Sequence, residues 1–168
     1  MTKYSIAIAI LATVILAEMT QGQVAIGKES VTNSSVLLEF GDEAKGIILP
    51  AVDASPGAVD GTFILDNTSQ SVRVMEDGSW TDLTAPGEAA SNPFINTGSD
   101  VGEGVVIGAE SSTKPGALVL ESTTMALVLP KVAEPHLNIL SPVAGTVVYD
   151  TASSMMAVYD GQNWSFWK

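Results

Sequence analysis

The sequence predicts an all-β protein: two tandem copies of a small hairpin-rich module joined by a Pro/Gly/Ser/Asn linker, after a cleaved signal peptide. Three observations carry that reading. GTFILDNTSQSVRVMEDGSW (residues 61–80) recurs as GTVVYDTASSMMAVYDGQNW (residues 145–164). Short apolar runs bounded by Asp, Asn, Ser, Gly and Pro fill much of the remaining chain, as strands do between turns. Beyond the first residues, no window shows the 3.6-residue apolar period of an amphipathic helix.

The signal peptide is read over residues 1–22. Lys3 supplies a positive start, residues 4–17 are apolar, and Thr20 and Gly22 are the small residues expected before a cut at Gln23. A bilayer-spanning helix needs about 20 apolar residues, more than this stretch offers. The exported chain then divides into copy one (23–83), a linker (84–104) and copy two (105–168). The linker is rich in Pro, Gly, Ser and Asn, with Phe94 and Ile95 as its bulky apolar pair.

Within each copy the blocks come in one order. VAIGKES (24–30) recurs as VVIGAES (105–111), VLLE (36–39) as LVLE (118–121), and GIILP (46–50) as ALVLP (126–130). Gly27 and Gly108 mark the ends of the first strands; further glycines of a phosphate loop are missing. Pro50 and Pro130 close the next strands by withdrawing a ladder donor. Asp66 and Asp150 each open a polar turn, because a short carboxylate folds back onto nearby amides. The second hairpin arm, which includes Tyr159, leads through Asp77-Gly78 or Asp160-Gly161 to Trp80 or Trp164. Asp-Gly suits the positive φ of a tight turn.

Several blocks do not alternate in polarity. VLL, IIL, LVL and the C-terminal WSFW place bulky side chains on both faces of a strand, which calls for cover on both sides. A module of about 60 residues buries only about 60% of its unfolded surface and is marginal alone. Without cysteine, disulfides and thiolate metal sites are excluded. Self-association is the expected remedy.

Composition excludes some functions. A net charge of −12 repels nucleic-acid phosphates and anionic lipid headgroups. The single histidine, His136, sits in a proline-bounded loop, and no nucleophile elbow accompanies it. Neighbouring carboxylates such as Asp42 with Glu43 and Glu76 with Asp77 lie in solvated turns, where catalytic pKa shifts are hard to produce. The chain is therefore read as non-enzymatic, with no cofactor. Asp66, Asp150 and residues 96–100 offer oxygen ligands for calcium, yet without the spacing of a recognised calcium loop.

The aromatics carry the remaining functional signal. Trp164, Phe166 and Trp167 form the candidate assembly or ligand surface. Alternation puts Trp164 and Phe166 on one side of the strand and Trp167 on the other. The matched Trp80 assigns Trp164 to its module's core, leaving Trp167 for a partner subunit or, as the alternative, a sugar.

These blocks resemble those of secreted Bacteroidota surface and tail-fibre-like proteins. Gln23-Val24-Ala25-Ile26-Gly27 is similar to their "QVGIG" opening, and Lys45-Gly46-Ile47-Ile48-Leu49-Pro50 to "KGLLLP". Residues 145–164 are similar to their "GLxVYDTxxxxLxVYDGxxW" close. The resemblance spans both copies and implies fibre-like, non-catalytic, often trimeric architecture. The expected function is a non-enzymatic extracellular structural or adhesive subunit, self-associating into a fibre or surface assembly. A soluble carbohydrate-binding module using the C-terminal aromatics is the alternative. The expected partners are further copies of the chain, with a surface glycan second and no membrane insertion after signal removal.

Overall fold

The computed structural model describes residues 22–53, 55–87 and 104–168. Strands make up 39% of these and helix 3%, so the chain is all-β as expected. Residues 1–21 of the expected signal peptide and residues 88–103 of the expected linker, Phe94 and Ile95 included, lie outside the described residues.

In the first copy, β1 (Val24–Ile26) runs parallel to β2 (Val36–Phe40), and β3 (Ile47–Ile48) and β4 (Ala51–Val52) flank Pro50. Next come β5 (Phe63–Asp66), β6 (Ser71–Glu76) and β7 (Ser79–Asp82), an antiparallel meander with β4 added in parallel beside β5. The second copy repeats the order with β8 (Val105–Ile107), β9 (Leu118–Leu120), β10 (Ala126–Val128) and β11 (Lys131–Val132). Its meander is β12 (Thr146–Asp150), β13 (Met155–Tyr159) and β14 (Trp164–Trp167), with β11 parallel to β12.

The two meanders share one register. Phe63 faces Val74 as Val147 faces Val158, and Met75 faces Trp80 as Tyr159 faces Trp164. Val52 lies beside Asp66 as Val132 lies beside Asp150. Turn chemistry explains the match. Asp66 Oδ1 accepts the Thr68 amide at 2.8 Å, and Asp150 Oδ1 accepts that of Ala152 at 2.9 Å. Both turns finish in the left-handed region, at Gln70 (φ 53°) and Ser154 (φ 58°).

The second turn differs from the sequence reading. Asp77 (φ 50°) and Gly78 (φ 70°) form the tight turn of copy one, with the double positive φ of type I′. Register makes Gly161, not Asp160, the counterpart of Asp77. Gly161 (φ 106°) therefore takes the first turn position, as type II′ requires. Asp160 is a buried strand end whose Oδ1 accepts the amides of Gln162 and Asn163 at 2.7 and 2.6 Å.

The copies do not sit in series as separate cores; they interlace. β3 leaves its own meander and pairs antiparallel with β12, Ile47 opposite Val147 and Ile48 opposite Thr146. β10 joins β2 in parallel, on the side away from β1. Leu65, Val72 and Leu83 of copy one meet Ala144, Val147 and Val158 of copy two in one buried cluster. Neither inner face could bury itself alone. A buried Val or Leu contributes about 1.5–3 kcal/mol, and facing the meanders together realises that gain for both. A second cluster of Val132, Val148 and Ala157, with Ile139 and Trp164 against it, lies on the outer face of copy two.

One turn of helix, α1 (Pro135–Asn138), interrupts the β pattern where none was expected. Pro135 is buried at its start, where a fixed φ and a missing donor cost nothing. A single turn is too short to show a period. His136 belongs to this turn rather than to a loop, and it is exposed.

Candidate assembly surface

β14 is the edge strand of the five-stranded sheet, so its outer backbone groups face no neighbouring strand among the described residues. Trp164 and Phe166 share one face with Ala157 and Tyr159. The Tyr159 and Trp164 rings lie 5.1 Å apart at 40°. Ile139 and Val132 cover part of this face, leaving Trp164 half-buried. Phe166 stays 41% exposed, and Leu137 and Leu140, which flank Ile139, are 60% and 87% exposed.

The same face of copy one is built differently. Arg73 stands where copy two has Ala157, and Asp82 where it has Phe166. Arg73 Nη1 donates to Asp66 Oδ2 at 2.9 Å, and Nε lies 3.1 Å from Asp82 Oδ1, an ion-pair distance without hydrogen-bond alignment. The guanidinium also sits 5.7 Å from the Trp80 ring centre. Copy one thus finishes this face with a charge network, whereas copy two presents bare apolar surface. Exposed apolar patches of this kind mark contact sites.

Trp167 lies on the opposite face from Trp164, as alternation requires, and that face looks towards copy one. Its Nε1 donates to the Leu83 carbonyl at 2.7 Å, while 41% of the residue remains exposed. The surface beyond the module's own core is therefore taken in part by the other copy.

The other repeat residues have structural work. The Pro50 carbonyl accepts the Leu65 amide at 3.0 Å, and the Pro130 carbonyl that of Tyr149 at 2.8 Å. The prolines thus join the ladder through their oxygens as well as ending a strand. Gly27 (φ 74°) and Gly108 (φ 95°) turn the chain after β1 and β8.

Sequence reasoning missed a pair of carboxylate clamps. Glu39, 3% exposed, accepts the Thr32 hydroxyl and amide at 2.6 Å each, with Lys28 Nζ 3.1 Å away. Glu121 accepts the Ser112 hydroxyl at 2.6 Å and pairs with Lys114 at 2.9 Å. A Glu flanked at a distance by a hydroxyl and a lysine in both copies was the available signal. These bonds hold the Glu39 pKa down at about 2, the Thr32 hydroxyl contributing most. Ser112 and then Lys114 lower that of Glu121. At Asp150 the Ser153 hydroxyl leads the lowering. At Asp66 burial pushes upwards, but Arg73 and the Thr68 and Ser69 amides outweigh it.

The pH dependence follows. Each of these folded-state values lies below its unfolded value, so the stabilisation is complete above the ordinary carboxylate range, about pH 4. It is lost as pH falls through the folded values, ending near pH 2 for Glu39. The melting temperature should therefore drop between about pH 4 and pH 2. Glu39→Gln should lower it at neutral pH and flatten the acid part of the curve. A flat wild-type profile over this window would remove the clamps as a source of stability.

Among the described residues no group of three or more His, Asp or Glu is placed to hold a metal. Asp66 and Asp150 spend their oxygens on turn amides, hydroxyls and Arg73. No described helix is long and apolar enough to cross a membrane.

Residues 106–167 match the family model described as "Phage tail like trimerisation region". No curated protein and no solved structure matches the chain. The matched span runs from β8 to β14 and takes in the copy-two meander with its apolar outer face. The similarity is to a structural family, and it supports a self-associating, fibre-like subunit.

Proposed function

We propose that this chain is a non-enzymatic, extracellular structural subunit that self-associates into a fibre or surface assembly. One observation carries the reading: the segment similar to a trimerisation region is the one whose outer face, around Phe166, is left apolar and exposed. Export rests on the apolar N-terminal segment. An adhesive role, and kinship with Bacteroidota surface proteins, rest on the resemblance of the repeat blocks.

Light scattering or native mass spectrometry on the secreted protein tests the proposal. A defined oligomer is expected, three chains being the first candidate. Phe166→Ser should weaken it at least several-fold, since burying one aromatic contributes a few kcal/mol. The β signature in circular dichroism should persist, because Phe166 is an exposed residue. A wild-type protein that stays monomeric at high concentration would overturn the reading. Glycan-array binding by that monomer, lost in the Phe166→Ser variant, would replace it with the carbohydrate-binding one.

A further inference from the structure

The two copies meet through two strand exchanges, β3 against β12 and β10 against β2. Laying one copy on the other shows where each strand goes if the repeat continues. β5 is the counterpart of β12, and residues 127–128 are the counterparts of β3. On β12, Thr146 and Val147 are covered by β3. Phe63 of β5 and Thr62 just before it have no such cover: β4 pairs only with Leu65 and Asp66, and no further strand among the described residues joins that sheet. β2 likewise holds β10 on the side away from β1, whereas its counterpart β9 pairs with β8 alone.

Burial agrees with the pairing. Val147 is 4% exposed beneath β3, and its counterpart Phe63 is 36% exposed. Val36 is 5% exposed beside β10, and its counterpart Leu118 is 46% exposed. The strands that could cover these edges are themselves open, with Leu127 40% and Ile48 50% exposed. Open strand edges bearing apolar side chains are templates for another strand.

We infer that a second copy of this chain completes the pattern. Leu127 and Val128 of one chain pair antiparallel with Phe63 and Thr62 of the next, while Ile47 and Ile48 of that next chain lie along β9 of the first. Both open edges close at one interface, which repeats between chains the junction already present within each. The inference rests on the self-association proposed above and names surfaces distinct from the Phe166 face. Backbone direction permits it. The Ala126 amide bonds to Ser35 at 2.8 Å on the β2 side. The register then shifts between Ala126 and Leu127 through an extra residue on β2, Leu37, so alternation along β10 itself continues and Leu127 faces away from β2. Ala126 stands where the internal junction has Gly46, so the strands run wider at that residue than inside the chain. The contact is head-to-tail: it closes into a ring if the rotation allows and otherwise extends as a filament.

The absence of cysteine makes the test direct. Phe63→Cys and Leu127→Cys proteins, both altered at exposed positions, are mixed and oxidised. Facing residues on paired strands lie within disulfide reach. Disulfide-linked heterodimers should form in the mixture but not from a mixture lacking either variant, and a chain carrying both changes should give covalent multimers. Ile47→Cys with Val147→Cys in one chain is the control, closing an intrachain bond at the corresponding register. An assembled protein whose control closes but whose mixture does not cross-link overturns this junction and leaves self-association standing. A double variant that closes within one chain at every dilution also overturns it. A strictly monomeric wild type removes both.

Discussion

Leu65→Ala is expected to destabilise the protein by about 2–5 kcal/mol and to loosen both copies in a single transition. Leu65 is 2% exposed and belongs to the cluster in which Val72 and Leu83 meet Ala144, Val147 and Val158. Truncating it opens a cavity lined by both meanders, and neither can collapse into it without leaving the other. Chemical denaturation followed by tryptophan fluorescence reads the effect, because Trp80 reports on copy one and Trp164 and Trp167 on copy two. One shifted transition is expected. Two transitions, with only the first displaced, would mean that the copies fold independently and that the shared core contributes little.

Gly46→Ala should cost about 1–3 kcal/mol, all of it at the junction between copies. A Cβ at Gly46 would collide with Thr146 Cγ2 and lie 2.9 Å from Val148 Cγ1 and 3.0 Å from the Val147 carbonyl oxygen. Thr146 and Val148 are themselves buried, so they have little room to give. The strain falls on the β3–β12 pairing. Hydrogen exchange should accelerate at Leu49, whose amide bonds to the Gly145 carbonyl at 3.0 Å, while the Asp66 turn keeps its protection. A variant with wild-type stability and exchange would show that β3 does not lie against β12.

Where the fold was legible in the sequence, local chemistry wrote it. The Asp66 and Asp150 turns, the Asp77-Gly78 turn and the Trp80 and Trp164 strands all rest on contacts between near neighbours, and such contacts leave a pattern. Of the non-alternating runs, VLL announced a strand covered on both faces, whereas IIL leaves Ile48 50% exposed. Neither run could name its neighbours, since Ile47 opposite Val147 and Leu38 beside Leu127 are pairings between distant segments of apolar residues that look alike. The Asp160 turn was misplaced by one residue because Asp-Gly is a strong signal in either frame, and only the strand register separates the two. At the candidate surface, the aromatics stood out as residues. The face of Trp167 became meaningful only once copy one was known to lie against it.

The exchange of strands between copies also orders events in time. β2 cannot gain its second neighbour until residues 126–128 exist, and β3 has nothing to pair with until residues 146–147 do. A chain emerging from its N-terminus therefore holds a half-finished first copy, with apolar strand edges bare, for most of its synthesis. Contacts so distant in sequence close slowly and leave those edges available to other molecules meanwhile. Truncation before β12 should yield an aggregation-prone fragment rather than a smaller folded protein, and the C-terminal third acts as the clasp that completes everything before it.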